Sequence, residues 1–183
     1  MNFIRTLKEH FTLDWCKEVI DYFEGNVPLQ HKGFLGQDKL IQNTEITIDM
    51  RDTQWQPLVD GLVKGIAEYK KDYIHLDNNM SPWSLFPHSQ IMRYKPGEVY
   101  NFEHCEHGKT NDGSGLSRII AWQINLNTIE NQGGTWFNYY DHTIKPEAGS
   151  LTFWPAGWTH MHRGLKSPDK NKYIITGWYN FNV

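Results

Sequence analysis

From about Ser89 onward the chain is a succession of short β-prone segments, each cut off by turn-forming residues. This texture constrains the fold more than any other feature. The segments are Ser89–Tyr94, Ser117–Asn127, Thr135–Tyr140, Ser150–Trp154 and Lys172–Phe181. Between them stand Pro96-Gly97, Asn111-Asp112-Gly113, Gly133-Gly134 and the stretch from Pro146 to Gly149. Short strands at regular spacing, each ended by residues that cannot continue a ladder, close into sandwiches or barrels. An aromatic share of 14% with eight Trp favours strands and a ring-lined cavity.

Two helical patterns precede this region. Leu13, Cys16, Val19, Ile20 and Phe23 recur at helical spacing, with Thr12 placed to cap the start and Gly25 to end the segment. Leu58, Val59, Leu62, Val63, Ile66 and Tyr73 form a stronger stripe. Its start carries two competing signals: Thr53 and Gln56 have capping-box spacing, whereas Pro57 suits the first helical position. Between the helices, Glu45–Met50 alternates with Ile46, Ile48 and Met50 on one face, which predicts a strand. A length of 183 residues is that of one domain. The expected architecture is therefore a single domain over 1–183, mainly β. Residues 89–183 form a double-stranded β-helix (jelly roll), and 1–88 supply a helical flank and outer strands, with the helices on one outer face.

Charge and cysteine content exclude several classes. Eighteen basic against 21 acidic residues leave a net charge of −3, with no basic stripe to meet a nucleic acid. Two cysteines, Cys16 and Cys105, cannot build a disulfide scaffold. The N-terminus has no apolar core of signal-peptide type, and no apolar run approaches the roughly 18 residues of a membrane span. The expectation is a cytoplasmic chain with no nucleic-acid or membrane partner.

Nine histidines are present, and four cluster in two places. His104 and Glu106 are two apart, so in an extended segment an imidazole and a carboxylate converge on one point. A third ligand from a distant strand would complete the facial triad of two His and one carboxylate seen in non-haem Fe(II) oxygenases. By itself His-x-Glu arises readily by chance, and polar residues at a strand end are the plainer reading. His160 and His162 both offer the third ligand; the other would be a pocket wall or hydrogen-bond partner. In the last segment Lys172, Ile174, Thr176 and Trp178 share a face. A lysine turned inward among Ile and Trp needs a partner, because an unpaired buried ammonium is costly. An acidic small molecule would supply one, with Thr176 adding a hydroxyl donor.

Taken together these features resemble a known family. Tyr94-Lys-Pro-Gly-Glu-Val-Tyr100 followed by His104-Cys-Glu106 resembles the Tyr-x-x-Gly-x-x-Tyr and His-x-Asp of prolyl 4-hydroxylase-like Fe(II)/2-oxoglutarate dioxygenases. Gly133-Gly134-Thr135-Trp136-Phe137 is similar to their Gly-Gly-x-Thr-x-Phe, and the stretch Ile144 to Pro155 to the strand–turn–strand ahead of the distal histidine. His162-Arg-Gly164 and Lys172, ten residues on, match His-x-Gly and its lysine; this spacing selects His162 over His160. The resemblance covers Ser89 to Val183 and is nearest to the short single-domain forms of bacteria and their phages. The chain departs from the pattern in three ways. Glu106 stands where Asp is usual, one extra residue separates Tyr100 from His104, and Asn125 (with Gln123 on the same face) occupies the place of a tyrosine near 2-oxoglutarate.

The resemblance implies that His104, Glu106 and His162 hold Fe(II). It implies that 2-oxoglutarate lies against Lys172, with Tyr94, Thr176 and Asn125 around it, and that O2 is the oxidant and ascorbate the reductant. Succinate and CO2 leave as a substrate C–H is hydroxylated. The substrate it implies is a proline within a peptide or protein, with Arg163, Trp178 and Tyr100 near it. Cys105, between two ligands, is expected to face away, and His107 to face solvent. Trp122, Trp136, Trp154, Trp158 and Trp178 are expected mostly as core, and His107–Leu116 as a lid. Two other functions fit less of the sequence. A cupin-like metalloprotein would not need Lys172, and a carbohydrate-binding jelly roll would not need His104, Glu106 and His162 together.

Overall fold

The computed structural model describes residues 1–33, 42–78, 80–108 and 114–182. In chain order its elements are β1 (Arg5–Leu7), α1 (Leu13–Gly25), β2 (His31–Lys32), β3 (Thr44–Asp49), α2 (Gln56–Asp72), β4 (Trp83–Leu85) and β5 (His88–Tyr94). There follow β6 (Arg118–Asn125), β7 (Thr135–Phe137), β8 (His142–Ile144), β9 (Leu151–Pro155), β10 (His162–Gly164) and β11 (Lys172–Phe181). Two antiparallel sheets make the jelly roll. The larger runs β1-β9-β6-β11-β5-β3-β2, with β4 also on β11, and the smaller runs β10-β7-β8.

Strand alternation divides the large sheet into two faces. On β11, Tyr173, Ile175 and Tyr179 join Ile91, Trp122, Ile124, Leu151 and Phe153 in the core under the helices. Lys172, Ile174, Thr176 and Trp178 point the other way and line a cavity. The same alternation sends Met92 and Tyr94 of β5 and Gln123 of β6 into that cavity. Because β11 pairs with both β5 and β6, it lies at the sheet's centre, and its inward face is the cavity floor.

The helices cover the opposite face. Thr12 caps α1 by accepting from the Trp15 N–H, and Cys16, Val19 and Phe23 are its buried stripe. The Glu24 carboxylate accepts from Arg93 of β5 at 2.7 and 2.9 Å and from the Tyr173 hydroxyl at 2.8 Å, which latches the helix end to two strands. In α2, Leu58 and Leu62 are fully buried. Gly65 lets this helix approach the sheet: a Cβ there would stand 2.5 Å from Leu151 Cδ2. Among the described residues no helix is long and apolar enough to cross a membrane.

Several boundaries differ from expectation for physical reasons. The Thr53/Gln56 capping box is not used; Thr53–Trp55 forms a 3-10 turn and the helix begins at Gln56, with Pro57 in its first turn. The segment expected as a strand over Thr135–Tyr140 leaves the sheet after Phe137 and closes in a 3-10 turn ended by Asp141 at φ 45°. Strands β1, β2, β4, β8 and β10 are two or three residues long. Such lengths are too short to show a period. Of the expected lid His107–Leu116, residues 109–113 lie outside the described residues.

Candidate active site

A cavity of about 590 Å³ opens on the inward face of β11. At one side of it three side chains meet. His104 and His162 exchange two backbone hydrogen bonds, N–H to O at 3.0 and 2.9 Å, in an isolated antiparallel bridge. Directly opposed residues in such a bridge carry their side chains on one face. Glu106 follows two residues on and is fixed by its N–H to the Ala156 carbonyl at 3.0 Å. One ligand atom from each of His104, Glu106 and His162 lies within 4.8 Å of the others.

Hydrogen bonds set the orientation of both rings. His104 Nδ1 contacts the Phe102 carbonyl at 2.8 Å, and His162 Nδ1 the His160 carbonyl at 2.9 Å. Carbonyls only accept, so each Nδ1 carries a proton and each ring turns its Nε2 toward the shared point. His162 Nε2 lies 3.2 Å from Glu106 Oε1. Two lone pairs at this distance call for a cation between them, either a proton or a metal ion. Burial and the neighbouring His162 push His104 down to about 4, which keeps its lone pair available near neutrality. Burial alone would raise the Glu106 carboxyl, but the His162 contact and the nearby His104 and Arg118 outweigh it and hold the group at about 2. Two imidazoles and one ionised carboxylate on one side of an open cavity are a donor set that fits a divalent metal with positions to spare.

The other Glu106 oxygen is also engaged. Trp178 Nε1 donates to Oε2 at 2.7 Å. Arg118 lies 3.6 Å from the same oxygen, donates to the Glu106 carbonyl at 3.1 Å, and stacks 3.6 Å over the Trp178 ring.

Further along the floor, Lys172 is 4% exposed, with its ammonium 5.6 Å from the Tyr94 ring centre. Among the described residues no carboxylate pairs with it. Burial depresses its pKa to about 8. Thr176 lines the cavity, but its hydroxyl donates to the Trp122 carbonyl at 3.0 Å, which takes up the proton expected to face a ligand. Asn125, expected beside the same ligand, is not among the lining residues; Gln123 is. Thr135 donates to Gln123 Oε1, Gln123 to Asn125 Oδ1, Asn125 to Ser150 Oγ and Ser150 to the Glu147 carbonyl, at 2.7 to 3.0 Å. Asn125 is thus a link in a buried polar chain behind the cavity.

Of the remaining expected residues, Tyr100 and Trp178 line the cavity and Arg163 does not. Arg163 donates to Asn101 at 2.7 Å and sits 5.1 Å over Trp136. Cys105, expected to face away, is half-buried and lines the cavity, because His104 forms only a single bridge and the alternation of a regular strand does not continue past it. His160 is buried, but its ring contacts the Asn2 carbonyl at 2.8 Å and Thr159 at 2.9 Å, away from the triad. Trp122 and Trp154 are core, whereas Trp158 is 70% exposed. Sequence reasoning missed Arg118 altogether, since no pattern announced that it would face inward.

No curated protein matches this sequence. The fold, in contrast, has many counterparts. A viral collagen prolyl hydroxylase from Paramecium Bursaria Chlorella virus-1, as its 2-oxoglutarate (2OG) complex, is 18% identical, with a TM-score of 0.74 over 99% of this chain and 97% of that one. A Pseudomonas putida prolyl-4-hydroxylase is 14% identical, with a TM-score of 0.73 over 100% and 95%. A Trichoplax adhaerens prolyl hydroxylase bound to a hypoxia-inducible-factor peptide fragment is also 14% identical, with a TM-score of 0.73 over 99% and 84%. These likenesses are of fold. The model of the 2OG-Fe(II) oxygenase superfamily matches residues 89–180, half of the chain, which include both triad segments and Lys172. On that match the chain belongs to the 2OG-Fe(II) oxygenase superfamily.

Proposed function

We propose that this chain hydroxylates a proline within a peptide, using Fe(II) held by His104, Glu106 and His162 and 2-oxoglutarate anchored by Lys172. Membership of the family implies Fe(II), 2-oxoglutarate and O2, which together supply the oxidising chemistry. The protein's own residues do the rest. The two Nδ1–H···O=C bonds hold the imidazoles in one tautomer and one orientation. Lys172 binds the distal carboxylate, with the Tyr94 ring beside its ammonium. The apolar side chains of Met92, Ile174 and Trp154 line the cavity and limit water beside the reacting C–H.

One observation carries this reading: a lysine, Lys172, 4% exposed and without a carboxylate partner among the described residues, on the same cavity as two imidazoles and a carboxylate. A metalloprotein that did not bind an acidic cosubstrate would leave this charge uncompensated. The proline assignment is supported by the similar structures, which are a collagen prolyl hydroxylase, a prolyl-4-hydroxylase and a prolyl hydroxylase bound to a peptide. Lining residues Tyr94, Tyr100 and Phe102 also suit an apolar ring in an extended segment. Ascorbate serves as reductant, and a net charge of −3 suits a substrate other than nucleic acid in the cytoplasm.

The test incubates the chain with Fe(II), 2-oxoglutarate, ascorbate and either proline-containing peptides or free proline. The expected result is succinate release, with a gain of one oxygen on proline in the peptides and little on the free amino acid. Succinate release stimulated by nucleic acid or by free proline alone would overturn the substrate. No 2-oxoglutarate-dependent succinate under any condition would overturn the reading of the cavity.

A further inference from the structure

We propose that Arg118 and Trp178 are positioning residues that tie back Oε2 of Glu106, so that this longer carboxylate meets the metal through Oε1 alone. The inference rests on the metal centre proposed above and adds to it the reason a Glu can stand in that place.

The device begins in the backbone. Strands β6 and β11 pair in regular register from Ile174↔Asn125 to Tyr179↔Ile120, and then Asn180 pairs with Arg118, leaving Ile119 without an opposite. Without this bulge Arg118 would fall on the helix-covered face. The extra residue reverses the alternation, so Ile119 and Ile120 both pack toward the helices while Arg118 turns into the cavity. Re-aiming one side chain is what a bulge does, at the cost of one ladder position.

Turned inward, the guanidinium carbon stands 3.6 Å from the centre of the Trp178 ring. This stack sets one donor and one charge against the same oxygen: Trp178 Nε1 hydrogen-bonds Oε2 at 2.7 Å, and the Arg118 guanidinium pairs with it at 3.6 Å. Arg118 also grips the Glu106 carbonyl at 3.1 Å, so backbone and side chain of the acid are held by one cation. Oε1, the remaining oxygen, is the one 3.2 Å from His162 Nε2. A glutamate has one more rotatable bond than an aspartate, and left alone it could sample poses that chelate through both oxygens or swing away. The Trp178 hydrogen bond to Oε2, with the Arg118 charge beside it, removes those poses. Trp178 is itself fixed, since its strand pairs with β6 at Ala121 and its carbonyl accepts from the Phe86 N–H at 2.9 Å.

The length of Glu106 is then matched to the clamp, and Asp at this position cannot reach Trp178 and the metal together. The test titrates the metal-free protein with Co(II), reading affinity and the visible ligand-field spectrum, for wild type and for Trp178→Phe, Arg118→Met, Glu106→Asp and the double variant Glu106→Asp/Trp178→Phe. Loss of an outer partner to a metal ligand weakens metal binding by about 10- to 100-fold. That loss is expected for Trp178→Phe and Arg118→Met, with a changed Co(II) spectrum as the carboxylate turns bidentate. Removing Trp178 in the Glu106→Asp background should cost no more than about twofold, because the hydrogen bond is already gone. Co(II) binding within about twofold of wild type and an unchanged spectrum in both single variants would overturn the proposal. If Trp178→Phe does not fold, Arg118→Met decides alone. Failure of the wild type to bind Co(II) would instead remove the metal centre itself, and the proposal with it.

Discussion

His104 and His162 are a directly opposed pair, joined by two backbone hydrogen bonds of 3.0 and 2.9 Å. Two imidazoles fifty-eight positions apart in the chain therefore share a face as a matter of register. A slip of one residue would put Arg163 opposite His104 and turn the second ring away. The pairing also separates His162 from His160, whose ring is committed to Asn2 and Thr159. His162→Ala is expected to abolish Fe(II)- or Co(II)-dependent binding signals. His160→Ala should keep metal binding and lower thermal stability, because it leaves the Asn2 carbonyl without its partner. Metal titration and thermal melting of the two variants check this, and a swap of behaviours would show that the wrong histidine has been assigned.

Lys172 should have opposite effects on stability and on cosubstrate use. The residue is 4% exposed, with no carboxylate partner among the described residues, so its charge weakens the fold when the cavity holds no anion. Lys172→Met, which keeps the length and removes the charge, is expected to raise the melting temperature of the cosubstrate-free protein. The same change leaves the distal carboxylate of 2-oxoglutarate without its partner. Breaking a buried pair costs about 3–5 kcal/mol, so KM for 2-oxoglutarate should rise by roughly 150-fold or more. Calorimetry and succinate-release kinetics read the two effects separately. A lysine in a merely structural role would move both in the unfavourable direction.

Both effects have a pH dependence whose sign is fixed by the same residue. Burial lowers the Lys172 pKa from 10.5 to about 8. Below pH 8 the lysine is charged in the folded and unfolded chains alike, and the folded state bears the full penalty, on the order of 3 kcal/mol. As pH rises from 8 toward 10.5 the folded state releases its proton first, and this penalty disappears. Binding runs the other way. The carboxylate needs the ammonium, so affinity for 2-oxoglutarate should be level below pH 8 and fall by about tenfold per pH unit above it. Equilibrium binding across pH 6.5 to 9.5 measures this, with Lys172→Arg as control, since a guanidinium stays charged throughout.

The parts of the site that follow local rules were legible in the sequence. Lys172, Ile174, Thr176 and Trp178 face one way because a regular strand alternates, and β11 is regular from Lys172 to Tyr179. The helix stripes around Phe23 and Leu62 were legible for the same reason. What sequence did not reveal depends on departures from regularity. Cys105 faces the cavity because strand pairing stops at His104, and Arg118 faces it because a bulge at Ile119 shifts the alternation. Neither event leaves a pattern in a single sequence. Asn125 was read from its face, but its burial at 1% and its bonds to Gln123 and Ser150 are settled by neighbours from other strands.

A close contact between Gly177 and Trp122 supports the floor of the site from behind. Gly177 lies at the centre of β11 between the cavity residues Thr176 and Trp178 and pairs with Trp122 of β6. Trp122 is fully buried, and its indole lies over the glycine: a Cβ at position 177 would overlap Cζ2, stand 2.8 Å from Cε2 and 3.1 Å from Ser89 Cβ. Glycine in a strand interior weakens it, so on propensity alone Gly177→Ala should stabilise. Here space decides instead. The indole is fully buried in a core it shares with Ile124 and Tyr179, and overpacking of this kind costs about 1–3 kcal/mol. Gly177→Ala is therefore expected to lower the unfolding midpoint by that amount and, by tilting Trp178, to weaken metal binding as well. Trp122→Leu alone opens a cavity and should also destabilise the fold. Combined with Gly177→Ala it should cost less than the sum of the two, because the smaller side chain makes room for the new methyl. Denaturant melts of the four proteins give the coupling directly, and additive losses would show that the two residues do not compete for the same space.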